Sequence, residues 1–267
     1  MSPWVFAALV WALSAIVMAA VWAFAIRVRN VGYVDVAWAG LMAVAALLSG
    51  LLADGAILPR TLTALAGAVW GARLCLYLLN RVMHEAEDGR YRALRERWQG
   101  SPARFFVFFQ AQAVVVALFA LPFFAAASST QSNADAWAIA AILVWLAAVG
   151  GEALADAQLA EHRADPANQG KTCRSGFWAW SRHPNYFFEW LHWFTYVLLA
   201  VHSPHWALSW LGPVVMLAFL YRVSGIPWTE QNALRSRGED YARYQREVSP
   251  FIPWPPRSGS GSRGHSH

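Results

Sequence analysis

The sequence has few charged residues and few cysteines for its 267 residues. Asp, Glu, Lys and Arg make up only 14% of the chain, whereas they are about a quarter of a typical soluble domain. Apolar residues reach 57%, and the mean hydropathy is +0.32. A soluble globule of this size could not bury so much apolar surface, and a disordered chain would be rich in charge and poor in aromatics. The composition therefore excludes both classes and predicts a membrane protein.

Several motifs that would indicate a metal or a common nucleotide fold are missing. The two cysteines, Cys75 and Cys173, lie far apart and suggest no disulfide or zinc framework. No HExxH or Cys–His spacing occurs, so we expect no metal site. No GxGxxG follows a strand, and neither GxxxxGKS nor GxxxxGKT appears. Any nucleotide would therefore lie in a helical pocket unlike a Rossmann fold.

Seven apolar stretches are long enough, or nearly so, to cross a bilayer as helices, which takes about 20 residues. The first stretch has no basic leader and is followed by further spans, so we interpret it as a helix and not as a cleaved signal peptide. The sequence therefore predicts an all-α, polytopic integral membrane protein with seven transmembrane helices. They cover Pro3–Ile26, Val34–Leu52, Ile57–Leu79, Phe105–Ala127, Trp137–Leu159, Tyr186–Val201 and Trp206–Tyr221.

The basic residues lie almost entirely on one side of these predicted helices. Of the 21 Lys and Arg residues, only Arg60 falls in a loop on the opposite side, and Arg73 lies inside the third span. Because positive loops stay in the cytoplasm, this predicts an outside N-terminus and a cytoplasmic C-terminus. The net charge of +5 comes from these short loop blocks, so we expect no nucleic-acid partner. We expect one membrane domain over residues 1–256 and a flexible polar tail over 257–267.

Ionisable side chains inside apolar stretches are costly, so by default they indicate function or a paired structural site. Glu152 and Asp156 lie four residues apart and therefore share one face of a helix. They could belong to a carboxylate–arginine lattice that holds helices together, or to the polar wall of a ligand cavity. We favour the cavity, because two adjacent acids are a poor choice for holding helices together. The complete set of such residues is Asp35, Arg73, Glu152, Asp156 and Glu189.

A second polar stripe lies in the segment RHPNYFFEW and just after it. Asn185, Glu189 and His192 recur at i, i+4 and i+7, which again is one helical face. Arg182 and His183 precede a helix start that a proline marks, where the positive end of the helix dipole would help them bind an anion. Alone, His183 would more often be a structural histidine, so it is the cluster that predicts an anion site.

Two further segments on the cytoplasmic side add polar and aromatic groups. The loop between the third and fourth spans carries Asn80, Arg81, Arg90 and Arg92, whose planar groups suit phosphates, although a solvated charged loop is the alternative. The C-terminal segment from Ile226 is amphipathic and aromatic, and it is either a helix on the membrane surface or a lid over a pocket. These segments together predict a cytoplasmic mouth suited to a large anionic cofactor.

Five segments resemble the membrane steroid 5α-reductase superfamily, in particular its bacterial branch. Isoprenylcysteine and phospholipid methyltransferases have similar RHPxY and E…Y…Y…P elements and use S-adenosylmethionine, so they are the alternative. The spacing of Asp156, Arg163 and Asn185 favours the reductases, and so does the EDGRYRALR loop. A transporter ranks third, because the polar residues concentrate towards the cytoplasmic half. The five segments are VDVAW (34–38), EDGRYRALRERW (87–98), EALADAQL (152–159), the stretch from Arg163 through NQGK to SRHPNYFFEW (163–190), and IPWTEQ…GEDYARYQREVSPFIP (226–253).

The resemblance implies NADPH-dependent reduction of the conjugated C=C bond of a 3-oxo-Δ4 steroid or a similar apolar enone. Hydride would reach the β-carbon, and a donor of the protein would stabilise the enolate oxygen. Steroid 5α-reductases place a Gln–Glu pair at the substrate carbonyl. Here the nearest acid is Asp35, without a preceding Gln, and Tyr33 is the second candidate donor. Trp38 would line the substrate, which would enter from the membrane.

The resemblance also implies that NADPH binds on the cytoplasmic side of a bacterial inner membrane. Asp156, Arg163 and Lys171 would lie near its adenosine and phosphates, and the basic residues would favour NADPH over NADH. The sequence leaves the natural substrate and the oligomeric state open. The full set expected to bind the cofactor is Asn80, Arg81, Arg90, Tyr91, Arg92, Glu152, Asp156, Arg163, Lys171, Arg182, His183, Asn185, Tyr186, Glu189, Glu230 and Tyr241.

Overall fold

The protein is helical, as its sequence predicts. A computed structural model describes residues 1–223 and 225–256, which contain no strand. The predicted tail over 257–267 lies outside the described residues. Twelve α-helices occur in the described part: α1 Pro3–Val28, α2 Tyr33–Leu52, α3 Ile57–His84, α4 Gly89–Arg97, α5 Pro102–Ala127, α6 Ala136–Ala164, α7 Pro184–His192, α8 Phe194–Leu199, α9 Trp206–Ser209, α10 Leu211–Ala218, α11 Ile226–Arg237 and α12 Glu239–Glu247.

Six helical segments of the described chain are long and apolar enough to cross a membrane. Five of them, α1, α2, α3, α5 and α6, coincide with the first five predicted spans. The sixth range, 206–237, contains the predicted seventh span, and its described residues are divided into α9, α10, the π-helical turn Phe219–Val223 and α11. These lengths and compositions support an integral membrane protein. The seven-span topology, the orientation of the termini and the single domain over 1–256 stay predictions.

The predicted sixth span, Tyr186–Val201, is not one continuous helix. It is divided into α7 and α8, because α7 ends at His192 and the N–H of Trp193 turns back to the carbonyl of Trp190 at 3.2 Å. Neither Gly nor Pro lies at this break, and the side chains around it are largely apolar. Hydropathy measures how apolar a segment is and does not register such a turn, so the sequence pattern gave no sign of it.

The first of two compact units contains residues Met1–Ile142 and Phe194–Gly212. In it α2 packs against α1, α3 and α5, while α8 and α9 pack against α5. Two glycines one turn apart, Gly67 and Gly71, let α2 and α3 approach closely. A Cβ atom at Gly67 would lie 2.3 Å from Cβ of Ala46, and one at Gly71 would lie 2.8 Å from the backbone N of Ala43. Small residues at such a contact are typical of helix pairs in membranes.

Arg60, the one cation in a predicted outer loop, has a structural partner. Its Nε donates to the carbonyl of Gly50 at 2.8 Å, and its Nη2 donates to the carbonyl of Leu51 at 3.0 Å. These carbonyls lie in the last turn of α2, where acceptors have no intrahelical donor. A cation is also favoured at this negative end of the helix dipole. Arg60, which is the one exception to the charge asymmetry between the two sides, therefore caps the C-terminal end of α2.

The second unit contains residues Leu143–Trp193 and the described part of Pro213–His267. It includes most of α6, all of α7, and α11 packed against α12 and against the π-helical turn Phe219–Val223. Tyr244 anchors α12, because its buried hydroxyl donates to the carbonyl of Trp178 at 2.6 Å and lies 3.1 Å from that of Ser181. The C-terminal segment is thus packed into its own unit through buried hydrogen bonds.

Candidate functional site

In the first unit, the predicted substrate-side acid lies in a network of polar side chains. Asp35 stands in the first turn of α2. The hydroxyl of Tyr91 donates to its Oδ1 at 2.6 Å, and Nη2 of Arg90 lies 3.4 Å from its Oδ2. Both partners come from the start of α4, which is separated from Asp35 by more than fifty residues of sequence. The structure thus joins the VDVAW and EDGRYRALR segments at one place.

Asp88 orients this network and was not singled out from the sequence. It caps α4, since its Oδ1 accepts from the backbone N of Arg90 at 2.9 Å. Its carboxylate also accepts from Nε of Arg90 at 3.2 Å and from Nη2 of Arg81 at 2.8 Å. An acid directly before a short helix is a recognisable capping signal, so this role could have been predicted. Asp88 therefore holds both arginines beside Asp35.

Burial and neighbouring charges shift the pKa values of two groups outside the apolar helices, the Asp88 carboxyl and the Tyr91 hydroxyl. Burial tends to raise the pKa of the Asp88 carboxyl, but the nearby Arg90 and Arg81 hold this pKa below its ordinary value. Burial first, and then the neighbouring Asp35, raise the pKa of the Tyr91 hydroxyl well above its ordinary value. Tyr91 is therefore a neutral hydrogen-bond donor at physiological pH.

A small cavity of about 20 Å³, enough for roughly one water molecule, lies beside this network. It is lined by residues of the chain around α2, the end of α3 and the start of α4, among them acids and an arginine. Three residues predicted for substrate or cofactor contact, Asp35, Arg81 and Tyr91, share this cavity. Its lining residues are Asn30, Gly32, Asp35, Leu78, Arg81, Val82, Ala86, Glu87, Asp88 and Tyr91.

Trp38 and Tyr33, the other predicted substrate-side residues, differ in their surroundings. Trp38 lies one turn beyond Asp35 and packs edge-on against Trp70 and Phe119, with ring centroids 6.2 and 5.9 Å away. Its indole Nε1 is buried and has no hydrogen-bond partner among the described residues. Tyr33 instead packs against Phe24 at 4.9 Å. The structure thus places Tyr91, and not Tyr33, in hydrogen-bond contact with Asp35.

In the second unit, the RHPNY segment is bound to the C-terminal segment. Arg182 donates through Nε to Oε1 of Glu230 at 2.7 Å, and through Nη1 to the carbonyls of Gln245 and Val248 at 2.6 and 3.1 Å. Nε2 of His183 lies 3.3 Å from the same carboxylate oxygen. The side chains of Arg182 and Glu230 are only 11% and 16% exposed. Arg182 therefore anchors the C-terminal segment, a role that its position in the motif did not reveal.

His183 is buried and stacks on its neighbour. Its ring lies parallel to that of Tyr186, with centroids 5.3 Å apart, and the Tyr186 hydroxyl lies 3.3 Å from Oγ1 of Thr229. Burial lowers the pKa of the His183 imidazole and outweighs the opposite effect of Glu230. A neutral imidazole with Nε2–H donating to Glu230 fits this environment.

The two predicted polar stripes meet between α6 and α7. Nδ2 of Asn185 donates to Oδ1 of Asp156 at 3.1 Å. Glu152, one turn earlier on α6, is buried, and Glu189 is half-buried on α7. Gly151 allows the helices to approach, because a Cβ there would lie 2.4 Å from the ring of Phe188. This contact joins two of the three residues, Asp156, Arg163 and Asn185, whose spacing in the sequence favours the reductases.

The remaining predicted cofactor residues are either exposed or packed against aromatic rings. Tyr241 is buried beside Tyr244, with the guanidinium of Arg237 over its ring at 5.8 Å. Burial is the main cause that raises the pKa of its hydroxyl. Four further side chains are exposed and available to a ligand. They are Asn80, Arg92, Arg163 and Lys171.

The predicted cofactor set is therefore divided between the units. The first unit holds the residues from the α3–α4 region, and the second holds those from α6, α7, α11, α12 and the loops between them. Hydrogen bonds connect part of the set in each unit: Arg81, Arg90 and Tyr91 in the first, and Arg182, His183 and Glu230 in the second. Besides Asp88, the sequence interpretation missed Gln245, whose Nε2 donates to Glu230 at 2.9 Å, and Thr229. Both lie within the matched C-terminal motif, but neither is of a type that by itself indicates chemistry.

Comparison with known proteins gives one family. A family model described as "Protein of unknown function (DUF1295)" matches residues 21–248. The match thus covers most of the chain and includes both polar networks. No curated protein and no solved structure matches the chain significantly.

Proposed function

Since the chain belongs to the DUF1295 family, which is associated with steroid 5α-reductase-like membrane proteins, we propose that it is an NADPH-dependent reductase. Its substrate would be a 3-oxo-Δ4 steroid or a similar apolar enone, reduced at the conjugated C=C bond. The observation that carries this proposal is the contact of the Tyr91 hydroxyl with Asp35, 2.6 Å long, beside a cavity. It supplies the acid that this reaction needs.

The reaction needs a hydrogen-bond donor where negative charge develops. Adding hydride to the β-carbon of an enone moves an electron pair to the carbonyl oxygen, which becomes an enolate oxygen. A neutral hydroxyl that is already oriented stabilises this oxygen. For this role the Tyr91 hydroxyl, which has one proton, would turn from Asp35 to the substrate oxygen, and its raised pKa would keep that proton on the phenol. A proton from water then adds to the α-carbon, so one hydride from NADPH and one proton from solvent complete the reduction.

Arg90 and Arg81 support this acid electrostatically. Arg90 lies 3.4 Å from Asp35, and Asp88 fixes both guanidinium groups by hydrogen bonds. A cation close to the enolate oxygen lowers the energy of the developing charge. We propose that Asp35 and Tyr91 act on the substrate as a pair, whereas Tyr33 packs against Phe24 and is a weaker candidate.

The chemistry of the donor set fits NADPH. When bound, NADPH supplies the hydride, and its three phosphates require cationic partners. Arg163 and Lys171 are exposed, and the carboxylate and amide of the Asp156–Asn185 pair suit ribose hydroxyls. Arg182 and Glu230 would hold the C-terminal segment in place next to such a ligand, in line with their internal contacts.

An apolar acceptor fits the surroundings of Trp38. Aromatic rings border this residue, and its buried indole N–H has no partner among the described residues. A buried donor without a partner is costly, so a substrate that offers a carbonyl or hydroxyl oxygen would bind more favourably than a pure hydrocarbon. This favours an apolar substrate that carries an oxygen function, in line with the proposed enone.

The proposal is tested with the full chain purified in detergent. NADPH deuterated at C4 of the nicotinamide is mixed with a panel of 3-oxo-Δ4 steroids, and the products are analysed by mass spectrometry. We expect a saturated ketone that carries one deuterium at the β-carbon. S-adenosylmethionine with a labelled methyl group is tested in parallel against isoprenylated thiol and phospholipid acceptors. Methyl transfer without any deuterium transfer would reject the reductase and favour the methyltransferase.

A further inference from the structure

One end of the first unit carries arginines that have no protein counterion. Arg29 follows α1, Arg97 ends α4 and Arg104 lies in the first turn of α5, and all three are exposed. Within residues 1–223 and 225–256, none of the three forms an ion pair, whereas Arg81, Arg90, Arg95, Arg174, Arg182 and Arg246 all do. Glu96, the acid next to Arg97, is itself exposed.

Contacts in the structure hold these segments together. Nη2 of Arg95 donates to the carbonyl of Arg29 at 3.2 Å, and its guanidinium lies over the ring of Phe105 at 5.6 Å. Trp98 packs edge-on against the same ring at 5.1 Å. The end of α1, the end of α4 and the start of α5 are therefore neighbours, and we call this region the α1–α5 corner. Its exposed arginines without an ion pair are Arg29, Arg97 and Arg104.

The backbone at this corner departs from the usual preference. Arg29 has φ = 56°, in the left-handed region, and Gln99 nearby has φ = 54°. No other non-glycine residue of the described chain has a positive φ. Glycine or asparagine is the usual choice at such a helix end, because other side chains are strained there.

The corner lies beside an aromatic pair and exposed apolar helix faces. Nε1 of Trp22 donates to the carbonyl of Pro102 at 3.0 Å, and its ring packs on Phe106 at 5.1 Å. Trp rings with one apolar and one polar side settle at the boundary between lipid chains and headgroups. Val28 and Val107 continue the apolar surface and are 44% and 67% exposed. In an integral membrane protein such a corner is expected near the lipid headgroups.

We propose that the α1–α5 corner binds the phosphate of an anionic phospholipid, whose chains lie along α1 and α5. Three unpaired guanidinium groups match a negatively charged headgroup, and guanidinium binds phosphate oxygens in a bidentate manner. Trp22 and Trp98 border the headgroup region on the protein. This site is independent of the proposed reductase chemistry, since none of its three arginines belongs to the polar networks around Asp35 or Glu230.

The test uses the full chain in a neutral detergent, titrated with phosphatidylglycerol or phosphatidylcholine, with binding measured by native mass spectrometry. The variant Arg29→Asn with Arg104→Gln removes two charges, and asparagine tolerates the left-handed conformation. We expect phosphatidylglycerol to bind this variant about thirty-fold more weakly, because each basic residue near a charged surface contributes roughly a factor of five. Phosphatidylcholine has the same phosphate but no net charge, so its weaker binding should fall by a clearly smaller factor.

Two comparisons make the result decisive. Arg29→Lys with Arg104→Lys keeps the charges and should retain at least part of the preference for phosphatidylglycerol. Arg235→Gln with Arg243→Gln removes two exposed arginines of the second unit and should leave phosphatidylglycerol binding unchanged. The proposal is overturned if this control weakens binding as much as the corner variant does, or if the wild-type chain binds both lipids equally. Circular dichroism confirms that each variant is folded.

Discussion

The hydroxyl of Tyr91 donates a 2.6 Å hydrogen bond to Oδ1 of Asp35. This bond connects the first turn of α4 with the first turn of α2, so a segment whose sequence indicates only a charged loop belongs to a partly buried network. Because Tyr91 is buried and the pKa of its hydroxyl is raised, the bond holds a neutral phenol next to Asp35. The acid for enone reduction would then be the pair and not either residue alone.

Tyr91→Phe and Asp35→Asn should both slow the proposed reduction by about 100-fold in kcat, the effect of removing one oriented donor. The KM for NADPH should change little, because the proposed pair acts on the substrate oxygen. Tyr33→Phe should have a clearly smaller effect, since its ring packs on Phe24. Steady-state NADPH oxidation with an enone measures all three. A loss in Tyr33→Phe that equals the loss in Tyr91→Phe would refute the assignment of Tyr91.

Arg163 and Lys171 should set the preference for NADPH over NADH. Both are exposed and lie in the part of the second unit that the family resemblance assigns to adenosine and phosphates. Charge-assisted hydrogen bonds to the extra 2′-phosphate are lost when either cation becomes neutral. Arg163→Gln with Lys171→Gln should raise the KM for NADPH at least tenfold and leave that for NADH nearly unchanged, as measured by initial rates. Equal use of both cofactors by the wild-type chain would contradict this.

Glu230 should stabilise the second unit, because its carboxylate accepts hydrogen bonds from Arg182, His183 and Gln245. Glu230→Gln leaves the poorly exposed Arg182 guanidinium without its charged partner, at a cost of about 2–3 kcal/mol. The matched control is Glu239→Gln, whose ion pair with Arg246 is largely exposed and should contribute nothing measurable. Thermal unfolding in detergent and proteolysis of the 226–256 segment report the difference. Equal behaviour of the two variants would argue against a supporting role for Glu230.

Because His183 is buried, we expect the folded protein to lose stability in acid. Burial holds its pKa below the ordinary value of about 6.5, so the folded chain favours the neutral imidazole and the unfolded chain binds a proton more readily. The contribution of His183 is complete above that ordinary value and is lost as the pH falls below it. Unfolding temperatures at pH 7.5 and pH 5 should therefore differ more in the wild type than in His183→Gln. A variant with an unchanged pH dependence would assign the effect to other groups.

Hydropathy and charge predicted most of the architecture because both depend on local composition. Helices α1, α2, α3, α5 and α6 agree with the predicted stretches within a few residues, apart from extensions at the ends of α3 and α6. The interruption at Trp193 could not be predicted, because no residue near it opposes a helix. The role of Arg60 could not be predicted either, because it depends on carbonyls at the end of the preceding helix and not on its neighbours in sequence.

The sequence singles out candidate residues that share one helical face or one motif, and their roles stay predictions. The hydrogen bond from Asn185 to Asp156 shows that the stripe on α7 contacts the stripe on α6, which helical spacing alone does not predict. The bond between Tyr91 and Asp35 spans two distant motifs, so helical spacing carried no information about it. The capping role of Asp88 could have been predicted from the sequence, because an acid just before Gly89 marks the start of α4.

The close packing of α2 on α3 gives the last prediction. At Gly67 an added Cβ would meet Cβ of Ala46 at 2.3 Å, so Gly67→Ala must push the helices apart or distort them. Overpacking of this kind costs about 1–3 kcal/mol. Gly150, in the exposed face of α6, is the matched control because no atom lies within 4 Å of its added Cβ. Gly150→Ala should be neutral or slightly stabilising, since alanine favours a helix. Unfolding of both variants in detergent measures the difference, and similar midpoints would show that α2 and α3 do not depend on this contact.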